Sequence, residues 1–268
     1  MELITPRVPQ IDWSGGFPRH WNGGDPVATH FFNALSFLFP RGERFFVEQA
    51  RELGGDDAAV RDFGAQEAIH AHQHAQYNAV LVGQGYENVS DELARRLEAR
   101  AYRIFAPLTR LAVVCAYEHY TAALGDYILR DRRPLERADP RMQLVWGWHA
   151  AEETEHKAVC FDLYRAVGGG WLRRVLVLML VTMNFSRLFW RLYLDMLRRD
   201  GSFSLRKFFP TVAGIAWNVI GPGGVGWPMA GAIVRYLNPW FHPWNEDNRA
   251  AMQAWLDANA ARLRRIRA

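Results

Sequence analysis

Only two cysteines, Cys115 and Cys160, occur among the 268 residues of this chain. Both lie inside apolar helical patterns, which excludes a disulfide framework and suits buried thiols in a reducing compartment. Polar–apolar alternation, the mark of half-buried strands, is nearly missing, so a sheet-based fold is not expected. Long apolar runs are missing too. The longest, VLVLMLVTMNF at 175–185, is flanked by Arg173, Arg174, Arg187 and Arg191 and falls short of the ~20 residues that a spanning helix needs. The opening MELITPRVPQIDW has no charged start followed by an apolar run, so no secretory signal is read there. No internal period marks a solenoid, and no aromatic-spaced basic motif makes nucleic acid an expected partner. A cytoplasmic protein is the expectation, with peripheral membrane contact left open.

What is present is apolar and aromatic. Half of the residues are apolar and eleven are tryptophan, enough for one large core or a core with an appendage. Charge is unevenly spread. Residues 1–170 carry 18 basic and 23 acidic side chains (−5), and residues 171–268 carry 14 and 5 (+9). The second region therefore favours an anionic partner or a membrane surface, unless its apolar helix is ordinary core or a homodimer interface.

Residues 1–25, rich in Pro, Gly and Trp, read as an irregular arm. From Pro26 the pattern is helical: Phe32, Leu35, Phe39, Phe46 and Ala50 recur at steps of three, four and seven until Gly54-Gly55. Asp56 or Asp57 caps a second helix reaching Gly83, and Ser90 starts another stretch that Pro107 interrupts. Apolar periodicity resumes through Leu111, Val114, Cys115 and Leu124. Asp139, with Pro140 after it, caps a helix expected to run to Gly168. Residues 26–170 thus read as an all-α four-helix bundle. Residues 171–268 read as an apolar, basic helical extension: a helix over 171–199, a turn-rich aromatic stretch over 221–244, and a last helix over 246–267 ending in Arg262, Arg264, Arg265 and Arg267.

Two Glu-x-x-His motifs stand on different helices: Glu67 with His70, and Glu153 with His156. A helix puts the first and fourth residues of such a motif on one face. Two motifs plus one inward Glu from each of the other two helices form the ligand set of ferritin-like di-iron and di-manganese bundles. Glu43 points where Phe39, Phe46 and Val47 point, and Glu118 shares a face with Leu111, Val114 and Ala122. A carboxylate on an apolar face is costly unless paired or metal-bound. Two cations about 3.5–4 Å apart require bridging carboxylates, and one neutral imidazole on each completes the set. His74 and His149 lie one turn from ligand positions, where they, with Glu152, could hold the ligands by hydrogen bonds from behind. Glu155 reads as exposed or as a further supporting group.

Register supports the same set. Glu43 and Glu67 each lie about 12 residues from the Gly54-Gly55 turn, roughly 18 Å of helix. Glu118 and Glu153 lie about 17 and 18 residues from Leu135. Both hairpins bring their ligands level. The middle connection does so only if residues 84–106 form a crossover, of the kind ferritin-like folds have.

The stretches FFNALSFLFPRGERFF, EAIHAHQH, YEHYTA and WGWHAAEETEHKAVCFDLY together resemble the bacterial proteins named predicted metal-dependent hydrolases, a ferritin-like family, over roughly residues 20–260. The name implies hydrolysis. The order Glu, Glu-x-x-His, Glu, Glu-x-x-His is also similar to that of bacterial multicomponent monooxygenases, acyl-carrier-protein desaturases and the ribonucleotide reductase small subunit. Carried over by motif, Glu43, Glu67, His70, Glu118, Glu153 and His156 would be the metal ligands. Carboxylates with one His per metal suit two iron ions, with manganese or zinc as alternatives. The expectation is a di-iron oxidase or oxygenase acting on a small apolar or acyl-type substrate, with a reductase or ferredoxin as electron donor. A metal-dependent hydrolase is the alternative, and a non-catalytic metal-binding bundle the third reading.

Overall fold

The computed structural model describes residues 4–131, 133–204 and 206–266. Residues 1–3 of the arm and Arg267 of the basic run lie outside the described residues. The fold is all-α. Helix α1 (Pro26–Gly54) opens with Asp25, whose carboxylate accepts from the Val27 and Ala28 N–H groups, and with Pro26 at its first position. Gly55, at φ +57°, reverses the chain, and Asp57 then caps α2 (Ala58–Gly83). So short a turn forces α1 and α2 into antiparallel contact. Pro40 lacks the N–H that would reach the Ser36 carbonyl, and Asn78 of α2 donates to that carbonyl instead, at 2.9 Å. This repair ties the two helices together about two turns before Glu43.

The connection to the second hairpin runs back along α1. Helix α3 (Asp91–Ile104) lies beside it, with Asp91 and Glu98 on Arg41 and the Tyr102 hydroxyl accepting from Gln49. Asp91 meets the middle of α1 and Tyr102 its later part, so the segment descends parallel to α1. That is the crossover the ligand register requires. Pro107 then starts α4 (Pro107–Arg130), which packs on α1 and pairs with α5 (Pro140–His156). Gly125 permits the α4–α5 approach, since a Cβ there would sit 2.9 Å from the Ala150 carbonyl oxygen.

The helix expected to reach Gly168 breaks at Lys157-Ala158 and continues as α6 (Val159–Ala166). Just before the break, the Thr154 hydroxyl donates to the Ala150 carbonyl, a contact that bends helices, and Lys157 reaches out to the Glu246 carbonyl and Asn248. Helix α7 (Trp171–Arg199) lies on α1 and α4. The 200–220 stretch yields α8 (Phe208–Ile220), and the turn-rich stretch contains α9 (Gly226–Tyr236), which packs on α4. The last helix is shorter than expected. It is α10 (Arg249–Asn259), after which the chain forms a strand, β2 (Leu263–Arg265), pairing antiparallel with β1 (Arg7–Pro9) of the arm. The arm is otherwise irregular, and it is strapped across α5 by this pairing.

Two apolar clusters flank the middle of the molecule. One gathers Phe32, Leu35, Tyr77, Trp146 and Leu192; the other gathers Phe46, Phe63, Leu111, Val114, Phe161 and Leu178. Along α1, α2, α4 and the α5–α6 segment in turn, the candidate ligands fall between residues of the first cluster and residues of the second.

Candidate metal centre

The structure brings the two Glu-x-x-His motifs together. Glu67, His70, Glu153 and His156 are all buried, and one ligand atom from each lies within 4.8 Å of the others. His70 Nδ1 is 3.9 Å from Glu67 and 3.6 Å from Glu153, and His156 Nε2 is 3.3 Å from Glu67. Glu118 enters through His156, whose Nδ1 is 3.0 Å from its Oε2. Glu43, on α1, lies 3.9 Å from His149 Nε2. Phe63, Trp148 and Phe39 wall the group, with ring centroids 4.8–5.0 Å from His156, His70 and His149 respectively.

Such a cluster strains its own ionisation. Burial and then the neighbouring carboxylates push Glu43 and Glu67 well above the usual carboxylate range. Burial lifts Glu118 to about 7 although His156 pulls it back. Burial also favours neutral His156, but Glu118 and Glu153 outweigh it and raise the imidazole to about 9. Glu153 feels the same burial, yet the adjacent His156 and His149 hold it below the ordinary value. His70 is driven well down by burial and by the histidines around it. Like charges this close raise one another, and a cation among them would relieve that repulsion.

The residues fit a metal site on a direct test. Both oxygens of Glu43 and of Glu67, Oε1 of Glu118, Nδ1 of His70 and Nε2 of His156 are buried without a hydrogen-bond partner. An unpaired buried polar atom is rare and costly, and here seven converge on one spot. Buried atoms of these types are metal-ligating atoms, and a bound cation would satisfy those that reach it.

Supporting groups surround this set. Glu152 Oε2 accepts from His70 Nε2 at 3.2 Å, which leaves His70 Nδ1 facing the centre. Burial raises Glu152 to about 8, against the pull of Arg7. Arg7, buried in the arm, spans Glu152 and Glu155, gripping Glu155 with both terminal nitrogens at 2.9 and 3.0 Å. Glu155 is thus a half-buried anchor for the arm, held also by Gln66 and the Thr5 N–H. Thr121 donates to Glu153. Arg7 and Thr121 were not read from the sequence. Thr121 was legible as the residue one turn after Glu118 on the inner face, whereas nothing local marks Arg7, 145 residues from Glu152.

His149 has a role that periodicity did not reveal. Asn78 donates through Nδ2 to the Ser36 carbonyl, so its Oδ1 accepts the Ser36 hydroxyl at 2.7 Å. Ser36 Oγ must then accept from His74 Nδ1, 2.9 Å away. His74 Nε2 is left as the acceptor for His149 Nδ1–H at 2.8 Å. The remaining nitrogen, Nε2, faces Glu153 at 2.8 Å and Glu43 at 3.9 Å; when protonated it donates to Glu153, and when deprotonated it carries a lone pair there. A lone pair aimed at carboxylates calls for a cation between them. Glu43, His74 and His149 form a second group of atoms within 4.8 Å of one another. His72 and His119 stand apart, bonded to Gln76 and to the Ala232 carbonyl.

With this geometry in place, comparison with known proteins decides the family. The family described as "Predicted metal-dependent hydrolase" matches residues 5–247. The chain belongs to that family. The match spans both Glu-x-x-His motifs, Arg7 of the arm, and α7 to α9. No curated protein and no solved structure matches the chain.

Next to the centre, this family member has a cavity of about 480 Å³ between α1, α3, α4 and α7. Its walls are mostly apolar, Phe45, Phe46, Leu97, Val113, Leu180 and Phe185 among others, with Arg41, Glu98, Arg100 and Asn184 also lining it. Phe46 and Tyr117, with rings 5.6 Å apart, line it at the level of Glu43 and Glu118.

Proposed function

We propose that this chain is a metal-dependent hydrolase of small apolar, acyl-type substrates, built on a ferritin-like bundle. The observation that carries the reading is the convergence of seven unpartnered buried donor atoms beside a large apolar cavity. The family description supports hydrolysis. Glu43, Glu67, His70, Glu118, Glu153 and His156 would hold two divalent cations, with His149 as a seventh ligand through Nε2. Such ions act as Lewis acids and lower the pKa of a bound water, which supplies a nucleophile near neutral pH.

The chain's own residues do the rest. Glu152 fixes His70 in the tautomer that frees Nδ1, and Arg7 offsets the charge behind it. The Asn78–Ser36–His74 chain does the same for His149. Phe39, Phe63 and Trp148 keep bulk water from the centre. The cavity takes the apolar part of the substrate and presents its polar end toward Glu43 and Glu118. A third imidazole moves the ligand set toward zinc or iron.

A second reading, a di-iron oxidase or oxygenase, is favoured by the burial of all the carboxylates, since oxidising chemistry needs a dry apolar site. It also requires an external electron donor. One experiment separates the two. The metal-free protein is loaded with Zn(II), Mn(II) or, anaerobically, Fe(II). Each form is assayed against nitrophenyl esters of increasing acyl length, and the Fe(II) form is also mixed with oxygen in a stopped-flow spectrometer. Hydrolysis rising with chain length in the zinc or manganese form supports the first reading. Hydrolysis absent from every form, with a fast oxygen-dependent absorption band from the iron form, overturns it in favour of the second.

A further inference from the structure

We propose that the outer face of α7, α8 and α9 docks on an anionic lipid bilayer surface. Fifteen of the nineteen large apolar side chains exposed among the described residues fall between Trp171 and Trp240. Helix α8 is the sharpest case. Its sequence, FFPTVAGIAWNVI, has no charged residue, yet only Thr211 is buried. Phe209, Trp217 and Ile220 are 80%, 65% and 63% exposed. A helix apolar all round is normally buried in a core or in lipid, and this one is buried in no core. Helix α7 adds Leu172, Leu176, Met179 and Met183, spaced four, three and four apart on one exposed face. Among the described residues α7 alone is long and apolar enough to cross a membrane, but its other face packs through Leu178, Val181, Leu188 and Leu192. It lies on a surface, not through one.

Charge selects the occupant. Residues 163–194 and 201–245 contain no Asp or Glu, while Arg173, Arg187, Arg191, Arg206 and Lys207 are exposed there. Five tryptophans, at 171, 190, 217, 227 and 240, are 38–84% exposed on this segment. Apolar side chains rimmed by cations and tryptophan are the composition of a bilayer interface. A second copy of the chain fits less well. In a two-fold dimer the same patch meets itself, so arginine would face arginine with no acid to pair it. Met183 belongs both to this face and to the lining of the apolar cavity. A lipid-dissolved substrate would thus enter the cavity where the protein meets the bilayer. Docking follows from the surface alone, whereas that delivery rests on the hydrolase reading.

The test is sedimentation of the full-length protein with vesicles of phosphatidylcholine, with and without phosphatidylglycerol, over a range of salt. Binding is expected on the phosphatidylglycerol vesicles, weakening with salt and on neutral vesicles. Arg206→Gln and Lys207→Gln should each weaken partition roughly five-fold. Trp217→Glu with Phe209→Glu should abolish it while the circular dichroism and metal content stay those of the parent. Protein that stays in the supernatant with anionic vesicles overturns the proposal. So does a concentration-dependent dimer, seen by analytical ultracentrifugation without lipid, that the Trp217→Glu, Phe209→Glu variant dissociates. Vesicle binding by a protein with no esterase activity would uphold docking and count only against the hydrolase reading.

Discussion

Replacing Arg7 by Ala probes how the arm supports the centre, and its cost can be worked from the contacts. The guanidinium is buried, grips Glu155 at 2.9 and 3.0 Å, reaches Glu152 at 3.4 Å, and donates to the Thr5 carbonyl at 2.7 Å. Removing one partner of a buried ion pair costs about 3–5 kcal/mol, because the other charge is stranded. Two features pull the estimate to the lower end. Glu152 already favours its neutral form, at about 8, and so adds little stranded charge at pH 7. Glu155 keeps Gln66 and the Thr5 N–H as donors. The expected loss is about 3 kcal/mol, or roughly 5 °C in Tm for a chain of this size. Arg7→Lys keeps the charge but not the planar two-pronged grip and should fall between the two. Urea titration with circular dichroism, at constant m, measures each value. A loss below about 1 kcal/mol for Arg7→Ala, or a lysine variant no better than alanine, would refute the reasoning.

Other perturbations have equally definite outcomes. Ser36→Ala removes the acceptor that sets the His74 and His149 tautomers, and should weaken metal binding by about 10–100-fold in a chelator competition; unchanged affinity would remove His149 from the ligand set. Asp200 ties the end of α7 to His30 and His20, each at 2.7 Å. Burial raises its pKa, but these histidines and the Ser202 N–H outweigh it and hold Asp200 below the ordinary value. Its stabilisation is present above the unfolded value near 4 and lost as pH falls through the folded one. Asp200→Asn should therefore cost about 2 kcal/mol at pH 7 and progressively less in acid, and a gap independent of pH in thermal melts would count against it. Ala101→Trp fills the apolar cavity; ester turnover should collapse with metal content unchanged, and activity that survives would place the substrate elsewhere.

Much of this molecule was legible in its sequence because its signals are local. Helix caps at Asp57 and Asp139, the Gly55 reversal and the interruption at Pro107 each depend on a few adjacent residues. The inward faces of Glu43 and Glu118 follow from their apolar neighbours one turn away. The misjudged features depend on distant partners. The break at Lys157 follows the Thr154 back-bond, but Lys157 itself is held by residues near 246. The strand at Leu263–Arg265 exists because Arg7–Pro9 lies beside it. Helix α8 went unread because it is uniformly apolar, and periodicity has nothing to report in such a stretch. The Ser36–His74–His149 relay depends on hydrogen bonds between three helices, and spacing within one helix does not contain it.

The central claim is that these buried carboxylates and imidazoles hold two metal ions. Metal analysis of the purified protein, and of Glu118→Ala and Glu153→Ala variants with parental circular dichroism, tests it most directly. Two divalent ions per parent chain are expected, with loss of at least one in each variant. A metal-free parent that rejects added Zn(II), Mn(II) and Fe(II), or variants that keep both ions, would contradict it.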